Sequence, residues 1–339
     1  MTGMSWAPFP SANVYAQRMD WGCLYSYAKG IALRDFDRAV MVLGAFDGVH
    51  QGHRALVSRA CADAREHGVP CVVVTFDPDP SEVVGKQRDY RRLLCVADRS
   101  AALLSLGVDY VACFDFTPDF SLLSPDAFVD ELYARIACPT SIHAGTNFRF
   151  GCHGAGDVAT LVHIGEHRHF DVFEHDLVVR NDQRVSSTRI RRLLREAKLD
   201  EANELLGRCH YVRGEVAHGR GEGTSFGFPT ANVVCDVCDC MPAEGVYAGY
   251  VIEEGLAWPS AINVGPPRSF TTESMPAFME ANLIGFSGDL YGKRVAVSFV
   301  RWLRAPRTFD SLEELESVVL GNIDWVREHL GSSPVEVAP

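Results

Sequence analysis

Two histidines that follow a glycine turn are the residues of this chain with the clearest capacity for chemistry. His50 and His53 come after the apolar run Val40–Leu43 and a turn containing Gly44 and Gly48. The run is typical of a fully buried strand, because neither of its faces is polar. If a helix begins here, the i, i+3 spacing puts both imidazoles on its first turn, where free N–H groups and the helix dipole attract anions. These residues therefore predict a phosphate-binding site.

Two other interpretations of the histidine pair are a structural zinc site and a pair of solvated side chains. A zinc ion would need further ligands, and none is obvious nearby. The longer pattern G-x-F-D-G-x-H-x-G-H, from Gly44 to His53, is far more specific than two histidines. It closely resembles the adenylyltransferase module of the bacterial bifunctional riboflavin kinase/FAD synthetase family.

Length, composition and charge narrow the class of protein. The chain has 339 residues, enough for two domains, with 47% apolar and 22% charged residues and a net charge of −12. An acidic chain without a long basic run is a poor candidate for binding nucleic acid or an anionic membrane. The sequence shows no membrane span and no signal peptide. Its odd count of 11 cysteines then favours reduced thiols and a cytoplasmic location.

Alternating strands and helices after residue 37 predict an α/β fold whose N-terminal domain, residues 1–197, is a doubly wound, Rossmann-like parallel sheet. The resemblance implies that this domain is the nucleotidyltransferase. Residues 1–37 are interpreted as an extension packed on that domain. The predicted strands are Val40–Ala45, Cys71–Phe76, Tyr110–Phe114 and Ser141–Ala144, and the predicted helices are His53–Glu66, Asp98–Leu106 and Pro125–Ile136. Ligands of such sheets sit beyond the carboxyl ends of the strands, where His50, His53, Asp77 and Asn147 fall.

Three further segments carry the resemblance in this first half: Thr75–Pro80, Gly145–Gly151 with Gly156-Asp157, and Val185–Arg191. The family usually has histidine where Asp79 stands. Taken alone, the second segment would be an ordinary turn and the hydroxyls of the third would be helix caps, although hydroxyls and arginines can equally bind phosphate. The resemblance implies flavin- and nucleotide-binding roles for Gly44, Phe46, Asp47, Gly48, Asp77, Asn147, Ser186, Ser187, Thr188 and Arg189.

Short alternating runs broken by glycine and proline follow residue 197 and predict an antiparallel β-barrel with a C-terminal helix, residues 198–332. The predicted strands are His210–Val216, Gly245–Ile252, Ala261–Val264, Phe278–Phe286 and Arg294–Leu303. Asp310 with Glu313 predicts a capping box at the closing helix. The apolar stripe of that helix is Leu312, Leu315, Val319, Ile323, Val326 and Leu330.

A second motif, G-x-V-x-H-G from Gly214 followed by G-F-P-T-A-N from Gly227, resembles the riboflavin kinase module of the same family. Phosphoryl transfer needs Mg²⁺ held by oxygen ligands and a base near the acceptor hydroxyl. Thr230 and Asn232 alternate on an extended segment and can put two oxygens on one side, although a turn after proline is their ordinary role. The resemblance makes Glu280 the catalytic base. It also implies that the kinase binds nucleotide and flavin through Gly219, Gly227, Phe228, Pro229, Thr230 and Asn232.

The kinase module departs from the family pattern at two places. Thr224 and Phe226 stand where members commonly carry Arg and Leu, and Arg268-Ser269 replace an expected Pro-Thr. Both changes fall in nucleotide-side loops. Cys235, Cys238 and Cys240 look like half of a zinc knuckle, but a closed site needs about four ligands, which favours loop thiols.

The resemblance implies two ATP-dependent reactions with Mg²⁺ as cofactor: phosphorylation of riboflavin to FMN in the C-terminal domain, and adenylylation of FMN to FAD with release of pyrophosphate in the N-terminal domain. His50 and His53 would donate to the transferring phosphate. Two rivals stay open, a single-activity FMN adenylyltransferase with an impaired kinase and a non-catalytic flavin- or nucleotide-binding regulator. The predicted partners are therefore the small molecules ATP, riboflavin and FMN; the sequence leaves open whether the chain forms a homo-oligomer.

Overall fold

The computed structural model describes the backbone of residues 23–25 and all atoms of residues 36–85, 90–218, 230–265 and 278–337. These residues form two compact units. The sheet unit comprises residues 23–25, 36–85, 90 and 94–186. The barrel unit comprises residues 91–93, 187–218, 230–265 and 278–337. The domain boundary predicted after residue 197 stays a prediction.

The sheet unit is a six-stranded parallel sheet with strand order β1-β4-β3-β2-β5-β6. Its strands are β1 (Cys23–Tyr25), β2 (Arg38–Leu43), β3 (Cys71–Asp77), β4 (Tyr110–Asp115), β5 (Cys138–Gly145) and β6 (Asp171–His175). Its helices are α1 (Gln51–His67), α2 (Pro80–Val83), α3 (Val96–Leu104), α4 (Pro125–Arg135) and α5 (Val158–Arg168). A small hairpin, β7 (Val179–Arg180) with β8 (Gln183–Arg184), follows. The chain runs from β2 to β3 and β4 on one side and to β5 and β6 on the other, so the topological switch point lies between β2 and β5.

The sheet forms because its central strands β2 and β3 are apolar on both faces. Five of the six residues of β2 are buried, and so are the first six residues of β3. Aromatic side chains fill one side of the sheet: the ring centroid of Phe120 lies 6.2 Å from that of Phe76, 5.6 Å from that of Phe114 and 6.1 Å from that of Phe128. Burial on both faces is what a parallel, doubly wound sheet requires.

The barrel unit is an antiparallel barrel of six strands in the order β11-β14-β9-β10-β13-β12. The barrel is closed because its first strand in this order, β11, also pairs with its last, β12. A short seventh strand, β15 (Val335–Glu336), adds to β12. The six strands are β9 (His210–Ala217), β10 (Ala231–Cys235), β11 (Gly245–Glu253), β12 (Leu256–Val264), β13 (Phe278–Leu283) and β14 (Arg294–Arg304). The helices are α6 (Ser187–Arg195), α7 (Leu199–Leu206) and α8 (Leu312–Leu330), and α8 packs Ile323 and Val326 against Ala248 and Ile284.

The fold class predicted from the sequence is confirmed, with local corrections. The predicted capping box at Asp310 is wrong by one residue: Ser311 is the N-cap of α8 and accepts the Glu314 N–H. Leu312 is exposed, so it does not belong to the buried stripe of that helix. The pair α5 and β6 was not predicted, because β6 is largely exposed and has no buried apolar run. Strand β1 lies in the segment interpreted as an extension.

Candidate functional site

The turn after β2 has a strained backbone. Phe46 and Val49 adopt positive φ angles of 54° and 41°, which non-glycine residues rarely do, and Gly48 between them has φ 81°. Such conformations cost on the order of 1–3 kcal/mol each and persist where the surroundings impose them. Strain of this kind clusters at ligand-binding sites. The turn therefore stands out as a functional element.

Several hydrogen bonds impose the shape of this turn. The Ala45 carbonyl accepts from Thr75 Oγ1 at 2.9 Å and from Arg99 Nη1 at 3.0 Å. Asp47 is buried, and its carboxylate accepts from the Leu94 N–H at 3.1 Å and from Tyr90 Oη at 3.4 Å. The Asp47 carboxylate therefore contributes to the shape of the turn; its predicted ligand contact stays a prediction.

His50 is the N-cap of α1, so the helix begins at Gln51, two residues before its predicted start at His53. Its Nδ1 accepts the backbone N–H of His53 at 3.3 Å, and the two imidazoles stack with centroids 3.6 Å apart. A nitrogen that accepts a hydrogen bond carries no proton, so the cap requires neutral His50 with its proton on Nε2. The first turn of α1 contains no acidic residue, which keeps its N-terminus suitable for anions.

Asp77 is exposed at the end of β3, beside the strand that carries the turn. Asp79, where the family usually has histidine, is buried and is the N-cap of α2: its carboxylate accepts the Ser81 N–H at 2.8 Å, and Glu82 completes a capping box. The departure from the family pattern therefore has a structural role here.

The Asn147 loop, residues 145–151, follows β5. Asn147 itself is exposed. Two backbone hydrogen bonds hold the loop: the Thr146 N–H donates to the His175 carbonyl at 3.0 Å, and the Phe148 N–H donates to the Gly145 carbonyl at 2.8 Å. A Cβ at Gly151, which has φ 74°, would lie 2.9 Å from Pro125. Only glycine fits this close approach of the loop to α4.

Three neighbouring parallel strands, β3, β2 and β5, thus end with Asp77, the histidine turn and Asn147 at one edge of the sheet. The turn after β2 and the loop after β5 flank the switch point, where such sheets bind ligands. Val185 comes to the same region, since a Cβ at Gly52 would lie 3.9 Å from the Val185 carbonyl oxygen. Ser186 follows it directly. Ser187, Thr188 and Arg189 form the first turn of α6 in the barrel unit.

In the barrel, strand register brings the predicted kinase residues together. Asn232 of β10 lies directly opposite Glu280 of β13, and Glu280 lies directly opposite Asn263 of β12. Residues directly opposite one another point to the same face of a sheet, and the neighbouring buried residues show that this is the face away from the barrel core. Three oxygen-bearing side chains therefore form one row. Thr230 lies directly before β10.

Part of the predicted kinase site lies outside the described residues: Thr224, Phe226, Arg268, Ser269, and the glycine-rich positions Gly219, Gly227, Phe228 and Pro229. Next to the first of these segments, His218 stacks on Tyr291 with ring centroids 3.9 Å apart. Tyr291 belongs to the Gly288–Lys293 segment, which pairs with the end of β9 through the Gly292 N–H and the Val216 carbonyl at 2.8 Å.

Comparison with known proteins gives a family match for each half of the chain. The FAD synthetase family model matches residues 33–189 and the riboflavin kinase family model matches residues 206–330. The bifunctional riboflavin kinase/FMN adenylyltransferase of Pseudomonas fluorescens is 36% identical over 85% of this chain and 92% of its own length, and that of Escherichia coli strain K12 is 32% identical over 86% and 93%. This chain belongs to the bifunctional riboflavin kinase/FMN adenylyltransferase family.

A solved structure has the same fold along nearly the whole chain. It is titled a macrolide-efflux protein from Streptococcus pneumoniae, and its sequence is 29% identical to this chain. The match covers 90% of this chain and 98% of the other, with a TM-score of 0.81. That title describes the other protein. In the described residues of this chain, no helix is long and apolar enough to cross a membrane.

The family's FAD synthetase region contains a residue that sequence reasoning missed. Arg99 on α3 is buried and donates to two carbonyls at the carboxyl edge of the sheet, Ala45 at 3.0 Å and Phe76 at 2.6 Å. Its guanidinium joins the histidine turn to the end of β3 and places a positive charge beneath the site. From sequence alone, an arginine on an amphipathic helix is expected to be exposed to solvent, so no local sequence pattern predicts this role.

Proposed function

We propose that the chain catalyses both reactions of its family: ATP-dependent phosphorylation of riboflavin to FMN on the barrel unit, and transfer of AMP from ATP to FMN on the sheet unit. The observation that carries the proposal is the stacked His50–His53 pair at the N-terminus of α1, at the switch point of a parallel sheet. The row of Asn232 and Glu280 on the barrel supports the kinase half.

In adenylyl transfer, a phosphate oxygen of FMN forms a bond to the α-phosphorus of ATP while the bond from that phosphorus to pyrophosphate breaks. No protein nucleophile is needed, so positioning and charge stabilisation supply the catalysis. Neutral His50 offers its Nε2–H, and His53 beside it offers a second donor. The free N–H groups of the first turn of α1 add to the same field. We assign Asp77, Asn147, Ser186, Ser187, Thr188 and Arg189 to flavin and nucleotide binding, together with the backbone of Gly44, Phe46 and Gly48.

In the kinase reaction, Glu280 accepts the proton of the ribityl hydroxyl as that oxygen attacks the γ-phosphorus of ATP. Thr230 and Asn232 would hold Mg²⁺, which prefers hard oxygen ligands and retains several waters. The fit rests on the neutral oxygens of both side chains and on the position of Asn232 directly opposite Glu280. When bound, the ion offsets the charge of the ATP phosphates. No group of three or more His, Cys, Asp and Glu residues is placed to hold a metal in the described ranges.

The proposal is tested by incubating the purified protein with riboflavin, ATP and Mg²⁺ and resolving the flavins over time. FMN should form first and FAD should follow as FMN accumulates. FAD formation from supplied FMN, without FMN formation from riboflavin, would favour an impaired kinase. If neither FMN nor FAD forms, the result would favour the hypothesis of a non-catalytic flavin- or nucleotide-binding regulator.

A further inference from the structure

A polar network inside the sheet unit lies apart from the residues assigned to chemistry. It joins Arg59 and Asp63, one turn apart on α1, to Ser141 and His143 on β5 and to His175 at the end of β6. Ser141 and His143 are buried, at 1% and 3% exposure. Burying polar groups is unfavourable unless they are hydrogen-bonded, and here each one is.

The charged ends of the network fix every proton in it. Arg59 Nη1 lies 3.1 Å from His175 Nδ1 and can only donate, so that nitrogen carries no proton. His175 is then neutral, and its Nε2–H donates to His143 Nδ1 at 2.9 Å. His143 is therefore also neutral, and its Nε2–H donates to the Asp63 carboxylate at 3.0 Å. The hydroxyl of Ser141 donates to the same carboxylate. Two neutral imidazoles thus connect a guanidinium to a carboxylate.

Electrostatics agree with this protonation. Burial lowers the pKa of His143, although Asp63 opposes the change. Burial, then His143 and Arg59, lower the pKa of His175 to about 4, although Asp176 opposes it. Burial raises the pKa of Asp63, but hydrogen bonds from Ser141 and His143 outweigh it and the net shift is downward. The groups facing the two imidazoles are Arg59, Asp63 and His67 on α1, Ser141 on β5, and Asp176 after β6.

The network lies between two parts of the adenylyltransferase site. Helix α1 carries His50 and His53 at its N-terminus and Arg59 and Asp63 further along. The backbone carbonyl of His175 accepts a hydrogen bond of 3.0 Å from the N–H of Thr146. Thr146 directly precedes Asn147. We propose that His175 and His143 form a neutral imidazole brace that positions the Asn147 loop relative to α1 for substrate binding. This inference rests on the proposed adenylyltransferase function of the sheet unit.

Steady-state kinetics of FAD formation from FMN test the brace in the full-length protein. His175→Leu removes both side-chain bonds, and we expect KM for FMN to rise about tenfold, the scale of a lost hydrogen bond, with kcat changed by less than about threefold. His175→Gln keeps an N–H that can reach His143 and should restore KM to within about threefold of wild type. His163→Leu, an exposed histidine on α5, is the matched control and should leave both constants unchanged.

A purely structural role would give a different pattern. It would lower the fraction of folded enzyme, so kcat per mole of chain would fall while KM stayed the same, and that result would overturn the proposal. Equal KM values for His175→Leu and wild type, or no recovery in His175→Gln, would overturn it as well. If His175→Leu fails to fold, Arg59→Leu replaces it, since Arg59 is exposed. Without the Arg59 donor, His175 Nδ1 loses its hydrogen bond to the guanidinium, so KM for FMN should again rise, by about threefold to tenfold.

Two readouts need no turnover, so they separate failure of the brace from failure of the proposed function. In ¹⁵N-histidine NMR spectra at pH about 7, His143 and His175 should both be neutral Nε2–H tautomers, assigned with the Gln variants. The Thr146 amide should exchange slowly in wild type and about tenfold faster in His175→Leu. A charged imidazole or an Nδ1–H tautomer at either position, or an unchanged Thr146 exchange rate, would contradict the brace even in a protein that makes no FAD.

Discussion

Among single residues, His53 has the largest proposed chemical role. It stacks on His50 and packs against Phe46 with ring centroids 5.2 Å apart. Removing one donor to a developing negative charge lowers rates by roughly 10²–10³. His53→Ala should therefore reduce FAD formation from FMN by that factor and leave riboflavin phosphorylation unchanged.

The control for this variant is His163→Ala, which removes an exposed imidazole from the same unit. Initial rates with FMN and ATP measure the effect. FAD formation at the wild-type rate in His53→Ala would show that the imidazole does not act on the transferring phosphate.

Asp79 has a structural role at a position where the family usually has histidine. It is the buried N-cap of α2. Loss of such a cap costs about 1 kcal/mol. Asp79→Ala should lower the free energy of unfolding by that amount in urea titrations, while Asp79→Asn, which keeps an oxygen for the Ser81 N–H, should retain most of it. Equal unfolding midpoints for Asp79→Ala and wild type would show that Asp79 does not stabilise the protein as an N-cap.

Some residue roles were open to sequence reasoning and others were not. The spacing of His50 and His53 after a glycine turn is local, so it predicted their place at a helix N-terminus. Asp47, Arg99 and His143 have roles set by contacts with residues 47, 54 and 80 positions away. Such contacts depend on how strands and helices pack, and no local pattern encodes them.

At the scale of secondary-structure elements, strand register makes a direct prediction for the kinase. Because β10 and β13 pair with Asn232 opposite Glu280, the carboxylate lies beside the predicted Mg²⁺ ligands. Glu280→Gln keeps size and strand propensity but removes the base. FMN formation from riboflavin should fall by roughly 10²-fold or more, with FAD formation from supplied FMN unchanged.

Glu316→Gln, which removes an exposed carboxylate from α8, is the matched control and should behave as wild type. A Glu280→Gln protein that phosphorylates riboflavin at the wild-type rate would mean that another group is the base.

Strand β9 begins with a buried histidine that makes the stability of the barrel depend on pH. His210 Nε2 donates to the Cys240 carbonyl at 2.8 Å, and burial lowers its pKa to about 4. The unfolded chain, with an ordinary value of about 6.5, binds this proton more readily. The contribution to stability is therefore full above pH about 6.5 and is lost as the pH falls towards 4, on the order of 3 kcal/mol in total.

Urea unfolding followed by tryptophan fluorescence measures this dependence, since Trp258, Trp302 and Trp325 belong to the barrel unit. His210→Gln keeps an N–H donor that does not titrate. Its unfolding free energy should change less between pH about 7 and 5 than that of wild type. An identical pH dependence in both proteins would exclude His210 as the titrating group.

Elements were predictable wherever burial was continuous. Strands β2 and β3 were located to within about two residues, because buried apolar runs ended at glycine or a polar turn. The pair α5 and β6 was missed because the sequence of β6 lacks such a run and its residues are mostly exposed. That omission also concealed the His175 brace, which depends on β6.

In the molecule as a whole, one chain performs two consecutive reactions with separate catalytic groups. Each family model matches its own part of the chain, and the groups proposed to act on the reacting atoms differ: His50 and His53 in one reaction and Glu280 in the other. The product of the kinase is then the substrate of the adenylyltransferase, and FMN released by one molecule can serve another.

Mixing two inactive variants tests this claim most directly. With riboflavin, ATP and Mg²⁺, neither His53→Ala nor Glu280→Gln alone should make more than a small fraction of the wild-type FAD, because the first stops at FMN and the second makes almost none. An equimolar mixture should make FAD, since FMN from the first protein is adenylylated by the second. FAD formation no greater in the mixture than the sum of the separate variants would contradict the account.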